Sequence, residues 1–143
     1  MKSTVYFIPV SSSDSKDVVK GKLKKLLLKS GVLSVVSRGD NVVGKIHFGE
    51  AGNTGYVDPE YAGVICREAQ AKGGQVRLAD ANVLYRGRRT ETAEHMKLAL
   101  EHGFTKKATG VDIVIPDDKK KEETAEVAIN KDLITIAKVG RLF

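Results

Sequence analysis

Lys45, His47, Glu50 and Asn53 crowd into one short stretch of the chain. Asp80, Asn82, Tyr85, Arg86, Arg88 and Arg89 crowd into another. Together they supply an amine, an imidazole, carboxylates, amides and guanidinium groups. Lys45 and His47 are side chains that move protons near neutral pH, so they are the candidates for acid–base work. No triad spacing accompanies them. His47 and Glu50 stand in a His-x-x-Glu spacing, and with Asp80 close by a hard or borderline metal ion would accept them as ligands. No second histidine lies nearby in sequence, so a neutral His47 bonded to backbone competes with the metal reading.

Arg86, Arg88 and Arg89 precede a helix start. Guanidinium forks beside free helix N–H groups suit phosphate or carboxylate. The expected ligand-binding residues are therefore Asn53, Asp80, Asn82, Arg86, Arg88 and Arg89. The competing reading is a solvated loop whose arginines pair with Asp80 and Glu91. Gly49, Gly52 and Gly55 recur every third residue, which is neither the dinucleotide fingerprint nor the phosphate-binding loop. Such glycines permit close backbone approach to a ligand, and they equally make a plain flexible loop.

These residues need elements to position them. Thr4 to Val10 is apolar and β-rich and reads as a first strand. Ser13 or Ser15 then caps a helix in which Val19, Leu23, Leu26 and Leu27 form one apolar stripe. Lys16, Lys20 and Lys24 line another face, read as solvated. Gly31 stops the helix. Val32 to Val36 reads as a helix end or a minor strand, and Arg38 to Asn41 as a turn.

Val42 to Phe48 is almost continuously apolar, as a central strand covered by helices on both faces would be. Asp58-Pro59-Glu60 is a helix start: a cap, a proline at the first helical position, and an acid at the positive dipole end. Ala62, Ile65, Cys66 and Ala69 share one face of that helix. Gly73-Gly74 ends it.

Gln75 to Asp80 is the next strand, and Ala81 to Arg89 a polar loop. A helix follows from Thr90 or Thr92, with Met96, Ala99, Leu100 and Gly103 inward and His95 and His102 also on it. Gly103-Phe104 closes it with a glycine cap and a hydrophobic clasp. Val111 to Ile115 is a further strand, 116–123 a charged loop, and Glu126 to Ile129 and Leu133 to Ala137 a hairpin or edge pair. The predicted fold is an α/β three-layer αβα sandwich, with a mainly parallel sheet and an antiparallel C-terminal edge. In such sheets ligands bind beyond the carboxyl ends of the strands. The loops at 11–15, 47–58 and 80–90 would leave that edge together.

The totals are ordinary for one globular domain: 143 residues, 41% hydrophobic, 29% charged. No apolar run approaches the roughly 20 residues that span a bilayer. The first residues are too weakly apolar for a signal peptide, so no membrane and a cytoplasmic location are expected. The net charge of +6 rests on lysines of one helix face and one loop, a weak signal for nucleic acid. A single cysteine, Cys66, excludes an intrachain disulfide framework. Its place among small apolar residues makes it a core thiol.

The segments Lys45-Ile-His-Phe-Gly-Glu, Asp58-Pro-Glu, Val76-Arg-Leu-Ala-Asp-Ala and Ala99-Leu-Glu-His-Gly-Phe104 resemble the domain-of-unknown-function 362 family. The likeness runs from Val5 to Phe104 and only loosely beyond. Members of that family are longer and are often fused to ferredoxin-type iron–sulfur modules. The resemblance implies that residues 1–143 are a single α/β domain, the N-terminal part of a longer architecture. The cluster-binding cysteines are absent here, so no cofactor is expected within this chain. An iron–sulfur cluster would sit on a separate domain or partner. The leading functional expectation is a domain that binds an anionic small molecule or a metal at its loops. The other is a scaffold that docks onto an iron–sulfur domain or a second subunit. The sequence does not decide whether the chain is an enzyme.

Overall fold

The structure, a computed structural model, describes residues 4–116, 124–129 and 131–141. Helix α1 spans Lys16–Ser30, and the Ser15 side chain accepts the Val18 N–H at its start. Gly31 ends it at φ 65°, a left-handed turn that glycine adopts without strain. A 3-10 turn, Val32–Val35, follows. Strand β1 is Asn41–Lys45, and helix α2 is Pro59–Ala71. The Asp58 carboxylate caps α2 by accepting the Glu60 N–H at 2.8 Å. Strand β2 is Gln75–Ala79, helix α3 Thr92–Glu101, and a single turn of helix, α4, Lys106–Thr109. Strands β3 (Asp112–Val114), β4 (Thr124–Ala128) and β5 (Ile136–Gly140) complete the described elements.

The architecture is α/β. Strands β1, β2 and β3 form one parallel sheet in that order, with Val43 opposite Arg77 and Arg77 opposite Asp112. Strands β4 and β5 pair antiparallel, as expected of the C-terminal segments, and they make a separate two-stranded sheet. Residues 117–123 of the expected charged loop lie outside the described residues.

The N-terminal part of the fold departs from expectation. Thr4 to Val10 forms no strand; it is irregular, and Val5 and Phe7 are exposed. A β-prone sequence becomes a strand only when a sheet edge takes it, and this run instead lies by α1, where Lys22 Nζ donates to the Pro9 carbonyl at 2.9 Å. Consequently β1 is an edge strand rather than a central one. Its apolar run continues past the strand end, where Phe48 serves the core.

That core gathers Phe48, Leu78, Phe104, Val111 and Ile115 with Ala62 and Cys66 of α2 and Ala99 of α3. The Phe48 and Phe104 rings meet at 4.8 Å. Phe104 arrives there because Gly103 turns at φ 88°, and the Phe104 N–H reaches back to the Ala99 carbonyl at 3.0 Å. On β2, Leu78 is buried and Val76 half-buried, whereas Gln75 and Arg77 are exposed, so the first half of the strand alternates. Ile65 and Leu100, expected inward, are instead exposed.

Helix α1 buries none of its residues fully. Its stripe of Val19, Leu23, Leu26 and Leu27 is half-buried. The flanking lysines are not merely solvated: Lys16 and Lys20 reach Glu60 at 3.0 and 2.9 Å, Lys16 reaches Asp58 at 2.9 Å, and Lys24 reaches Glu68 at 2.7 Å. All three lysines of the apparent basic face are thus paired with carboxylates of α2 and its cap.

Candidate functional site

Because β1 and β2 run parallel, their carboxyl ends open on one edge, and the loops after them share it. The ladder continues one bond past β1, Ile46 N–H to the Ala79 carbonyl at 2.9 Å. This fixes the start of the 46–57 loop against Asp80.

Asp80 is the hub. It is 1% exposed. Its Oδ1 accepts from Lys45 Nζ at 2.7 Å and from its neighbour Ala81 N–H at 2.9 Å. Its Oδ2 accepts from the Phe48 N–H and from Arg89 Nη2, both at 3.0 Å. Burial alone would raise its pKa. Contacts with His95 and Lys45 and the N–H groups of Phe48 and Ala81 outweigh burial and hold it well below the usual carboxylate range.

Arg89, 3% exposed, is clamped from behind. Its Nε faces His95 Nε2 at 3.2 Å, and its Nη2 is on Asp80. The other amino group, Nη1, looks outward to Glu50 Oε1 at 2.7 Å, His47 Nε2 at 2.6 Å and the Tyr85 hydroxyl at 3.3 Å. The Tyr85 hydroxyl also donates to the same Glu50 oxygen. Those bonds from Tyr85 and Arg89 hold the Glu50 carboxyl low against its partial desolvation. Lys45 and Arg89 balance Asp80 and Glu50, so the cluster carries little net charge.

The histidines play different parts. Asn82 Nδ2 donates to Thr92 Oγ1 at 2.8 Å, which turns its carbonyl oxygen to His95 Nδ1 at 3.1 Å. That oxygen makes Nδ1 the protonated ring nitrogen. His95 Nε2 then lies between Arg89 Nε and Asp80 Oδ2, the latter at 3.3 Å, and can accept from the first or, protonated, donate to the second. His47 accepts the Gly49 N–H on Nδ1 at 2.8 Å. Its Nε2 lies 2.6 Å from Arg89 Nη1, and a neutral ring can accept only one of these two N–H groups at a time, as its tautomer decides.

A cleft of about 280 Å³ is lined by Ile46, His47, Gly49, Glu50, Asn53 and Tyr56 among others, and His47 and Glu50 are the members of the cluster that border it. Tyr56 stacks on His102 at 4.4 Å, and His102 Nδ1 bonds the Phe48 carbonyl at 2.8 Å. Gly49, at φ 96°, passes so close that a Cβ there would lie 2.5 Å from the His102 ring. The third-residue glycine spacing is therefore a packing requirement at its first member.

The structure brings together Lys45, His47, Glu50, Asp80, Tyr85 and Arg89, with Asn82 one bond behind. Asn53 stays on the cleft rim, its side-chain oxygen accepting the Gly55 N–H at 2.6 Å. Arg86 is exposed. Arg88 turns away from the cluster and forks onto Glu101 at 2.6 and 2.8 Å. Arg88 and Arg89 are the central residues of a turn closed by the Thr90 N–H on the Gly87 carbonyl at 3.2 Å, and their side chains leave it toward different partners; no sequence signal ranks one arginine above its neighbour. His95 was missed as a member of the cluster. Its spacing to Leu98 and Ala99, three and four residues on, was the available sign that it faces inward.

His47 and Glu50 do meet, but on a guanidinium, which puts a fixed positive charge where a metal ion would sit. Among the described residues, no group of three or more His, Cys, Asp or Glu side chains could hold a metal ion. Cys66 is buried, and burial pushes its thiol up to about 11, leaving it a poor nucleophile at neutral pH. Among the described residues no helix is long and apolar enough to cross a membrane.

A parallel α/β domain with a buried carboxylate–guanidinium hub at the carboxyl edge of its sheet is the class these features define. A family model, the domain of unknown function DUF362, matches residues 42–143, and the chain belongs to that family. The match begins at β1 and runs through β5, later at both ends than the resemblance read from the sequence. No curated protein and no solved structure matches the chain.

Proposed function

We propose that this domain binds a small anionic molecule in the cleft beside Arg89. The observation that carries the reading is the asymmetry of the Arg89 guanidinium. Buried groups, Asp80 and His95, hold its back. Partly exposed groups, Glu50, Tyr85 and His47, cover its front. A cation fixed in this way is oriented before any ligand arrives, which lowers the ordering cost of binding. The cleft is at the small end of ligand sites, which run from about 300 Å³ upward, so a few-atom acid fits and a dinucleotide does not. Ile46, Tyr56 and Val57 give it an apolar wall. His47 lines it as a group able to exchange a proton with a bound molecule, and Lys45, held on Asp80, is the second such group nearby.

Titration calorimetry with acetate and with inorganic phosphate tests this. Saturable binding by the native chain, weakened about tenfold or more by Arg89→Lys and unchanged by Arg88→Ala, is expected. No binding of either anion by the native chain up to high millimolar concentration overturns it, as does indifference to Arg89→Lys.

A second reading, a scaffold that docks onto an iron–sulfur domain or a second copy, has one observation in its favour. Val5, Phe7, Leu84 and Leu133 are large apolar side chains left almost fully exposed. Sedimentation of the chain across a concentration series tests the self-association arm. A cytoplasmic location belongs to the same proposal.

A further inference from the structure

We infer that Glu50 is an internal stand-in for the ligand, and that the natural ligand of the cleft is a small carboxylic acid which binds by exchanging with the Glu50 carboxylate. The inference rests on the anion-binding reading above and names the class of anion.

The seat is defined by what Glu50 touches. One oxygen, Oε1, takes both the Tyr85 O–H and the Arg89 Nη1 N–H, the latter at 2.7 Å. A hydroxyl and a guanidinium converging on one oxygen recognise a carboxylate through charge-assisted bonds. Glu50 itself is weakly held otherwise: its side chain is 30% exposed, and it lines the cleft. It also sits on the glycine-rich turn between Gly49 and Gly52, both at positive φ. Rotating the side chain outward puts its charge into water and frees the Tyr85 hydroxyl and Arg89 Nη1 on the side where Glu50, which borders the cleft, now meets them. An incoming carboxylate restores both bonds at once. The guanidinium donor stays in place, because Asp80 and His95 hold it from behind.

Exchange has a measurable signature. The internal carboxylate competes with the ligand, so the native chain binds a free acid weakly, and removing Glu50 strengthens that binding. Phosphate, larger and tetrahedral, is the poorer match to the space a carboxylate now fills and gains less.

The experiment measures formate, acetate and inorganic phosphate binding to the native chain, Glu50→Ala and Glu50→Gln by calorimetry. Protection against thermal unfolding by the same anions is followed in parallel. The two variants guard against a folding defect in either one. At least a tenfold gain in acetate or formate affinity in Glu50→Ala, a smaller gain for phosphate, and recovery of lost melting temperature by formate are expected. Phosphate binding to the native chain that the Glu50 variants leave unchanged would overturn the exchange while leaving the anion-binding reading intact. Absence of anion binding in all three proteins would overturn both. Acid binding by the variants with none by the native chain at any concentration would make Glu50 a permanent structural carboxylate and overturn the exchange.

Discussion

Arg89 Nη2 lies 3.0 Å from Asp80 Oδ2, with both side chains almost wholly out of water. A buried pair of this kind is costly to half-remove, because the remaining charge keeps its desolvation penalty and loses its partner. Arg89→Met and Asp80→Asn are each expected to destabilise the fold by about 3–5 kcal/mol. The double variant is expected to cost clearly less than the sum. Urea denaturation of the three variants checks this.

The acid limb of stability follows from the same carboxylate. Asp80 titrates well below its ordinary range in the fold and near 3.9 when unfolded. A depressed native pKa contributes stability that is complete above about pH 4. That contribution is lost as pH falls through the native value. The native chain should therefore lose stability below pH 4, and Asp80→Asn should show a flatter acid limb. Glu50 and Glu60, also lowered, leave a residual slope. Melting temperatures between pH 2 and 7 measure the difference.

Gly49→Ala should distort the site from its back wall. A side chain at φ 96° is strained, and the new Cβ would lie 2.5 Å from His102 Nδ1 and 2.6 Å from the Tyr56 ring. Strain of this kind costs about 1–3 kcal/mol, before the displaced rings are counted. Gly52→Ala, with open space around it, carries only the backbone term. Comparing the two by chemical denaturation separates the close approach from the dihedral.

Arg88→Ala should change little. Its fork onto Glu101 lies at the protein surface, where such pairs contribute weakly and are screened by salt. Its melting temperature is expected to track the native value, and more closely still at high salt.

Much of the frame was legible because local chemistry agreed with the fold. The serine cap, read as Ser13 or Ser15 and found at Ser15, and Asp58-Pro59-Glu60, Gly31 and Gly103-Phe104 are short-range signals that the fold uses. The parallel pairing of β1 with β2 brought the two polar loops together, as strand–helix–strand alternation implies. What failed depended on partners far away in sequence. Thr4 to Val10 has strand composition but lies by α1 and does not pair with the free edge of β1. Lys16, Lys20 and Lys24 read as solvated until α2 placed Asp58, Glu60 and Glu68 opposite them. The site was read from the right loops, but with Arg88 and Arg89 as equals. Only the three-dimensional path sends one to Asp80 and the other to Glu101. His95 went unread as a site member because a buried histidine on an apolar helix face resembles core until its ring partners are seen.

The most direct test of the anion seat is a two-dimensional amide and arginine-side-chain NMR titration of the native chain with acetate. Saturable shifts are expected at Arg89 Nε and at the amides of Phe48, Gly49 and Glu50, with Arg88 unmoved. Shifts scattered over the lysines of α1, or none at Arg89 at saturating acetate, would contradict it.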